Sequence, residues 1–299
     1  MEKITVRGGD GYKLDVHLFE VPDPKCVVQV IHGMEEHQER YEPLVRFLNQ
    51  NGYTVVTSDM RGHGPSAPVD GFFKEKEGYR ELIADQRSIT RFIADRYPGK
   101  EISLFAHSMG TIITRVLLQE DSRNYKKVIL SGFPNYQAMA YLGIAFANLI
   151  RLFHGPRYKS GKLEYMAVGS FNKKIRNPRT PFDWIAANEE DVRRYIADPY
   201  CGTGFTCSAF DDLFHLVINM HKPSRYHKVN KALRVLMLRG SDDPCTGGNR
   251  GAADSIGVLV KAGFTDIHEI EYPRMRHEIL SESDNGKVYS DILAFLEEK

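Results

Sequence analysis

The chain of 299 residues is poor in the features that mark several protein classes. It has no charge excess: 40 Lys and Arg face 39 Asp and Glu. A protein whose main partner is nucleic acid carries a clear basic surplus instead. It has no long apolar run. The longest, Ala138–Ala147, falls well short of the roughly 20 residues that cross a bilayer. The opening MEKITVRGGDGYK is polar and lacks the apolar stretch of a secretory signal. Cysteine is scarce, and Cys26, Cys201, Cys207 and Cys245 form no C-x-x-C pair. That usage predicts reduced thiols and a cytoplasmic protein, with a Cys201–Cys207 disulfide the less favoured alternative. There is no H-E-x-x-H, and the His and Cys residues do not fall at zinc spacing. No metal and no organic cofactor are therefore expected. No internal repeat or low-complexity segment occurs.

What is present is a rhythm. Residues 3–20 alternate around Gly8-Gly9-Asp10-Gly11 and read as a hairpin. CVVQVIHG (26–33) is a continuous apolar run ending in Gly, as suits a strand covered on both faces. Helical spacing follows at 41–52, a buried strand and turn at 53–64, and a helix at 81–99 that Pro98-Gly99 closes. EISLFAHS, GTIITRVLLQE and KKVILSG give strand, helix and strand again. The alternation implies an α/β protein, a parallel sheet with helices on both faces. It stops over 134–228 and resumes at LRVLMLRGSDD (233–243), with a helix at 250–262, a strand at 266–272 and a last helix at 287–298. A rhythm that resumes means an insertion. The expected organisation is a core of 1–133 and 229–299 and an inserted, mainly helical cap of 134–228.

AHSMG, around Ser108, is close to G-x-S-x-G, with Ala106 in place of the first Gly. In that motif a sharp strand-to-helix turn holds the Ser oxygen exposed, and small residues two before and two after let strand and helix approach. The stretch follows a buried strand and opens a helix whose N-terminus favours negative charge. A Ser hydroxyl is a weak nucleophile and needs a base, which needs an orienting acid. On this architecture the chain order is Ser, acid, His. LMLRGSDDPCT offers Asp242 and Asp243, and EYPRMRHEIL offers His277. Asp243 is preferred to Asp242 because Pro244 restrains its backbone; turn formation is the alternative role for either. His268 lies in the last strand and is expected to face solvent, and His107 to point away from the Ser. The oxyanion of an acyl transfer needs N–H donors. These are expected from Met109, after the Ser, and from Met34, in the loop after His32-Gly33.

Taken together, IHGMEEHQERY, SDMRGHGPS, AHSMG, GSDDP and RHEIL resemble the monoacylglycerol lipase and lysophospholipase branch of the α/β-hydrolases, the serine aminopeptidase S33-like group. The resemblance covers nearly the whole core. It implies an eight-stranded, mostly parallel sheet with a cap after strand six, Ser108, Asp243 and His277 as the triad, and Met34 and Met109 as oxyanion donors. Glu36, His37, Arg40 and Tyr41 match the family's E-H-x-x-R-Y and are assigned to bracing the oxyanion loop, with His32 and Gly33. YMAVGSFNKK, TPFDWIA and YIADPYCGTGFT look like bacterial lysophospholipase caps. Ala106 and Pro65 depart from the pattern.

The insertion suggests a substrate. The stretch 138–153 is apolar almost all round, and Leu142, Phe146 and Ile150 with Trp184 are expected to line an acyl pocket. Phe171, Phe182, Phe205 and Phe210 add aromatic surface. The insertion carries 13 basic and 8 acidic residues, so transient contact with a membrane surface is expected, not insertion. The expected activity is serine hydrolysis of lipid-like carboxylic esters through an acyl-enzyme. Alternatives are an aminopeptidase or amidase, with Glu189, Glu190 or Asp191 holding a substrate amine, and a ligand-binding homologue without turnover. Acyl length, head group and oligomeric state are left open.

Overall fold

Short β-branched runs become strands where neighbours cover both faces, and the apolar stripes between them become the helices that do the covering. The computed structural model describes residues 1–298. The strands are β1 (Glu2–Arg7), β2 (Lys13–Phe19), β3 (Val27–Ile31), β4 (Thr54–Ser58), β5 (Ile102–His107), β6 (Lys127–Ser131), β7 (Arg234–Gly240) and β8 (Asp266–Tyr272). They form one sheet in the order β1-β2-β4-β3-β5-β6-β7-β8. The β1–β2 and β2–β4 pairs are antiparallel and every other pair is parallel. Every residue of β3, β4, β5 and β6 is buried. The edge strand β8 is exposed over much of its length.

The helices are α1 (Glu42–Gln50), α2 (Gly78–Arg96), α3 (Met109–Asp121), α4 (Ala140–His154), α5 (Gly161–Glu164), α6 (Glu189–Ala197), α7 (Cys207–Met220), α8 (Gly248–Ala262) and α9 (Gly286–Glu297). Two apolar cores cover the sheet. One lies against α2, α3 and α7, the other against α1 and α9. Helices α4 to α7 all fall between β6 and β7, where the βα rhythm breaks. They do not form one detached layer. Nearly all of α7 is buried, and Asp212 on it accepts a hydrogen bond from Tyr79 N at 2.9 Å. A small residue, Gly143, lets α4 lie on the Phe214 ring of α7. Among the described residues no helix is long and apolar enough to cross a membrane. The four cysteines are free thiols.

The hairpin that opens the chain is held by one buried cation. Arg61, 1% exposed, follows β4. Its guanidinium donates to Asp85 of α2 at 2.6 and 2.8 Å and to Asp10 of the hairpin turn at 3.0 Å. It also lies over the Tyr12 ring at 4.6 Å. The Arg61 hydrogen bonds hold Asp10 down to about 2. Removing one partner of such a group strands the other charge. Asp85→Ala should therefore cost about 3 kcal/mol of unfolding free energy, measured by urea denaturation at pH 7. A loss too small to resolve would mean the cation does not organise this end of the sheet.

Candidate active site

Ser108 sits where β5 turns into α3, at φ 49° and ψ −120°. A non-glycine residue in that conformation costs about 1–3 kcal/mol and persists only when its surroundings fix it. They do. Its N–H donates to Ser131 O of β6 at 3.0 Å, and Thr111 N and Oγ1 both donate to its carbonyl, at 2.8 and 2.7 Å. Gly110, two residues on, faces the Ile31 and His32 carbonyls so closely that no Cβ would fit. Ala106, two residues before, is fully buried between Ile31 and Leu130 without difficulty.

The loops after β7 and β8 bring the other two groups. His277 Nε2 lies 2.8 Å from Ser108 Oγ, and its Nδ1 lies 3.0 Å from Asp243 Oδ2. Asp243 is buried, and its second oxygen accepts from Cys245 N at 2.7 Å. Asp242 is exposed and accepts from the Ser241 hydroxyl, at 3.0 Å. The imidazole is buried, which alone would lower its pKa. The charge and hydrogen bond of Asp243, with Glu278 and Glu36 behind, outweigh burial and hold it above the ordinary value. An imidazole held this way can be oriented by the carboxylate at Nδ1 and can accept a proton from a hydroxyl at Nε2.

Gly33, Met34 and Met109 line the cavity beside Ser108. A Cβ on Gly33 would sit 3.0 Å from Ser108 Cβ, so only glycine lets the Met34 loop lie this near. Glu36 fixes that loop. Its Oε1 accepts from Gly33 N and from Tyr41 OH at 2.8 Å, and its Oε2 accepts from Arg40 at 3.0 Å. Arg40 also grips Glu278, next to His277, through two bonds of 2.8 and 2.7 Å. His32 is buried and stays neutral, since burial takes its pKa down to about 3. Its Nε2 accepts from Met60 N at 3.0 Å, which leaves Nδ1–H to donate to the Gly33 carbonyl at 2.8 Å. His37 pairs with Asp198 at 2.8 Å and so joins the loop to the segment after α6.

The cavity over Ser108 measures about 430 Å³. Its apolar lining comes from Ile112, Met139, Ala140, Leu213, Phe214 and Val217, and from Met166, Phe171, Phe182 and Trp184. Of the four expected pocket residues only Trp184 is there. Leu142 is 59% exposed, and Phe146 and Ile150 pack half-buried against the core. The reason is that α4 turns Gly143 and Ala147 inward, so only its first turn reaches the cavity. Phe205 and Phe210 belong to the core. His268 is exposed and bonds Asp266. His107 does not point away: its buried ring lies 4.7 Å from that of His277. Glu189 and Glu190 lie exposed at the start of α6, paired with Arg179 and Arg193. Asp191 lies 3.6 Å from Arg40. None of the three lines the cavity.

Among the described residues, two clusters have metal-ligand chemistry, His37–Asp198–Cys201 and Asp243–Cys245–His277. In the second, both ring nitrogens of His277 are already engaged by Ser108 and Asp243.

Sequence reasoning missed a carboxyl pair on the cavity wall. Glu35, at φ 54° and 5% exposed, meets Glu164 of α5, with the Gly204 and Phe205 amides behind them. Burial and the neighbouring Glu164 carboxyl push Glu35 up to about 8. Two acids in contact share a proton. The only sequence signal was a second Glu beside Glu36. The unfolded chain releases this proton near the ordinary 4.5 and the folded protein only near 8. Stability should therefore fall as pH rises between those values, by at most about 1.4 kcal/mol per pH unit. Glu35→Gln should remove that part of the decline, so that its stability relative to wild type rises from pH 5 to pH 8.5 in chemical denaturation. Parallel profiles would show that no proton is shared.

The model of the family described as serine aminopeptidase, S33, matches residues 22–284. The chain is 24% identical over 276 residues to a monoacylglycerol lipase of Mycolicibacterium smegmatis, covering 92% of this chain and 89% of that one. It is 31% identical over 233 residues to the human monoglyceride lipase, covering 74% of this chain and 66% of the human one. Among solved structures, a thermostable carboxyl esterase from Bacillus coagulans superposes with a TM-score of 0.88 at 21% identity, covering 99% of this chain and 97% of that one. A monoacylglycerol lipase of Paleococcus ferrophilus superposes with a TM-score of 0.73 at 21% identity, covering 95% and 98%.

Proposed function

The chain belongs to the serine aminopeptidase S33 family of the α/β-hydrolases, and on that premise we propose that Ser108, His277 and Asp243 form its catalytic triad. It is a carboxylic-ester hydrolase. The observation that carries the triad is the unbroken relay from Ser108 Oγ through the His277 ring to Asp243, at 2.8 and 3.0 Å.

Ser108 Oγ attacks the ester carbonyl while His277 Nε2 takes its proton. Asp243 keeps the ring in the tautomer that can accept it and stabilises the imidazolium. The tetrahedral oxyanion rests on the N–H groups of Met34 and Met109, which the α3 N-terminus supports. Collapse expels the alcohol, which leaves with the proton from His277. Water then attacks the acyl-Ser108 ester by the same route in reverse. Glu36 and Arg40 act through the loop they hold.

The substrate is a lipid-like ester of the monoacylglycerol or lysophospholipid kind. An apolar cavity of about 430 Å³ suits an acyl chain, and apolar burial is worth about 0.8 kcal/mol per methylene. Residues 134–228 act as the cap. Leu149, Leu152 and Phe153 of α4 are more than half exposed, next to basic Arg151, and they make the transient contact with a lipid surface. Four free thiols support a cytoplasmic location. Glu189, Glu190 and Asp191, the acids expected to hold a substrate amine, lie outside the cavity.

Ser108→Ala should lower kcat/KM on a monoacylglycerol by at least about a thousandfold, because triad members act as a unit. Asp243→Asn should lower it by a similar order, and Asp242→Asn should leave it near wild type. Initial rates across short esters, monoacylglycerols and lysophospholipids would measure all three. An active Ser108→Ala enzyme would remove the triad, and a preference for short esters would remove the lipid.

A further inference from the structure

Two aromatic rings lie against His277. The core supplies the His107 ring, 4.7 Å away at 50°. The segment between β6 and β7 supplies Trp184, 5.0 Å away at 40°. Trp184 is the single tryptophan of the chain, and Phe171 backs it at 5.2 Å.

The indole is not laid there by a loose flap. Glu278 N, next to His277, donates to Ile185 O, next to Trp184, at 2.8 Å. On the other side Arg276 Nη1 donates to Asp183 O at 2.6 Å and to Ala186 O at 3.0 Å. Glu282 accepts from both strands of this clamp, from Arg276 N at 2.8 Å and from Ala187 N and Asn188 N at 2.8 and 3.0 Å. Trp184 N itself donates to Asn172 Oδ1 at 3.1 Å. Residues 183–188 are thus sewn to residues 276–282 around Trp184 and His277.

From this geometry we infer that Trp184 is a positioning residue for the general base: its indole face fixes the His277 ring and stabilises the imidazolium that forms when Ser108 gives up its proton. The inference rests on His277 being that base. A cation over an indole face within about 6 Å gains electrostatic energy, and more when water is excluded. His107 does not oppose this, because burial and the nearby His277 keep it neutral, with its pKa down to about 4. The charged groups that face the base are Asp243 on Nδ1 and the Glu278 and Glu36 carboxylates that Arg40 holds. Lys174, the cation on the cavity wall, donates to Pro244 O at 3.2 Å. The ring thus meets acid at Nδ1 and packs against one neutral imidazole and one indole.

Leu at position 184 keeps an apolar cover but has no π face, and Phe keeps a weaker one. Trp184→Leu should move the acid limb of the kcat/KM–pH profile down by about half to one pH unit and lower kcat, with Trp184→Phe in between. A residue that only shaped the pocket would change KM and leave the limb in place. Wild-type protein gives a second readout that needs no Trp variant. Imidazolium quenches indole, so emission should titrate with the midpoint of the acid limb, above the 6.5 of an ordinary histidine, and His277→Gln should abolish that transition. An unmoved limb in Trp184→Leu, or wild-type emission flat from pH 5 to 8, would overturn the inference. A His277→Gln enzyme that keeps its activity would instead overturn the reading of His277 as base.

Discussion

The Arg40 guanidinium is the tie on which the site depends. It holds Glu36, whose other oxygen fixes Gly33 N–H at the head of the oxyanion loop, and it holds Glu278, the neighbour of His277. Three charges out of water are tolerable only together, since any one alone would carry a desolvation cost of several kcal/mol. Burial works against Glu278 as an anion, and Arg40 reverses that and holds it down to about 2. The loops after β3 and β8 therefore cannot drift apart without exposing a buried charge. Both loops end at the same serine because β5 lies beside β3 in the sheet and β8 lies two strands beyond β6.

A second set of bonds extends this control to the segment between β6 and β7. Part of that segment is welded to the histidine loop through Arg276, Glu278 and Glu282. Another part touches the oxyanion loop, where Tyr195 OH and Gly202 N donate to Glu35 O at 2.9 and 3.0 Å. The segment is thus fixed both to the loop after β8 and to the loop after β3. The first turn of α4 and residues 166–171 between them close the apolar cavity. A helix such as α4, which leaves Leu152 78% and Phe153 73% exposed, is stable here because its small residues, Gly143 and Ala147, pack on α7.

The sheet was legible because its strands are continuous apolar runs with turn residues at their ends, and buried parallel strands require that pattern. Ser108, Asp243 and His277 were legible because each follows such a run, and backbone topology alone brings those loop ends to one edge. The preference for Asp243 over Asp242 rested on one proline and agrees with which carboxylate lies 3.0 Å from the imidazole. The cavity wall was not legible. Apolar residues all round α4 gave no periodicity to say which side faced in, and the answer came from small residues meeting Phe214. His107 was misplaced because a sharp turn was expected to throw its ring away from the serine, whereas its ring, at the end of β5, lies 4.7 Å from that of His277. The Glu35–Glu164 pair joins residues far apart in the chain, and no local pattern reports such a contact.

The central claim is that Ser108 is the one hydroxyl made nucleophilic by His277. Intact-mass and peptide mass spectrometry after exposure to a fluorophosphonate test it most directly, because an activated serine attacks its phosphorus and displaces fluoride to leave a stable phosphonyl-serine. The account predicts a single adduct, at Ser108, in wild-type protein, and none in His277→Gln protein that remains folded. An adduct on another residue, or equal labelling with and without the imidazole, would contradict it.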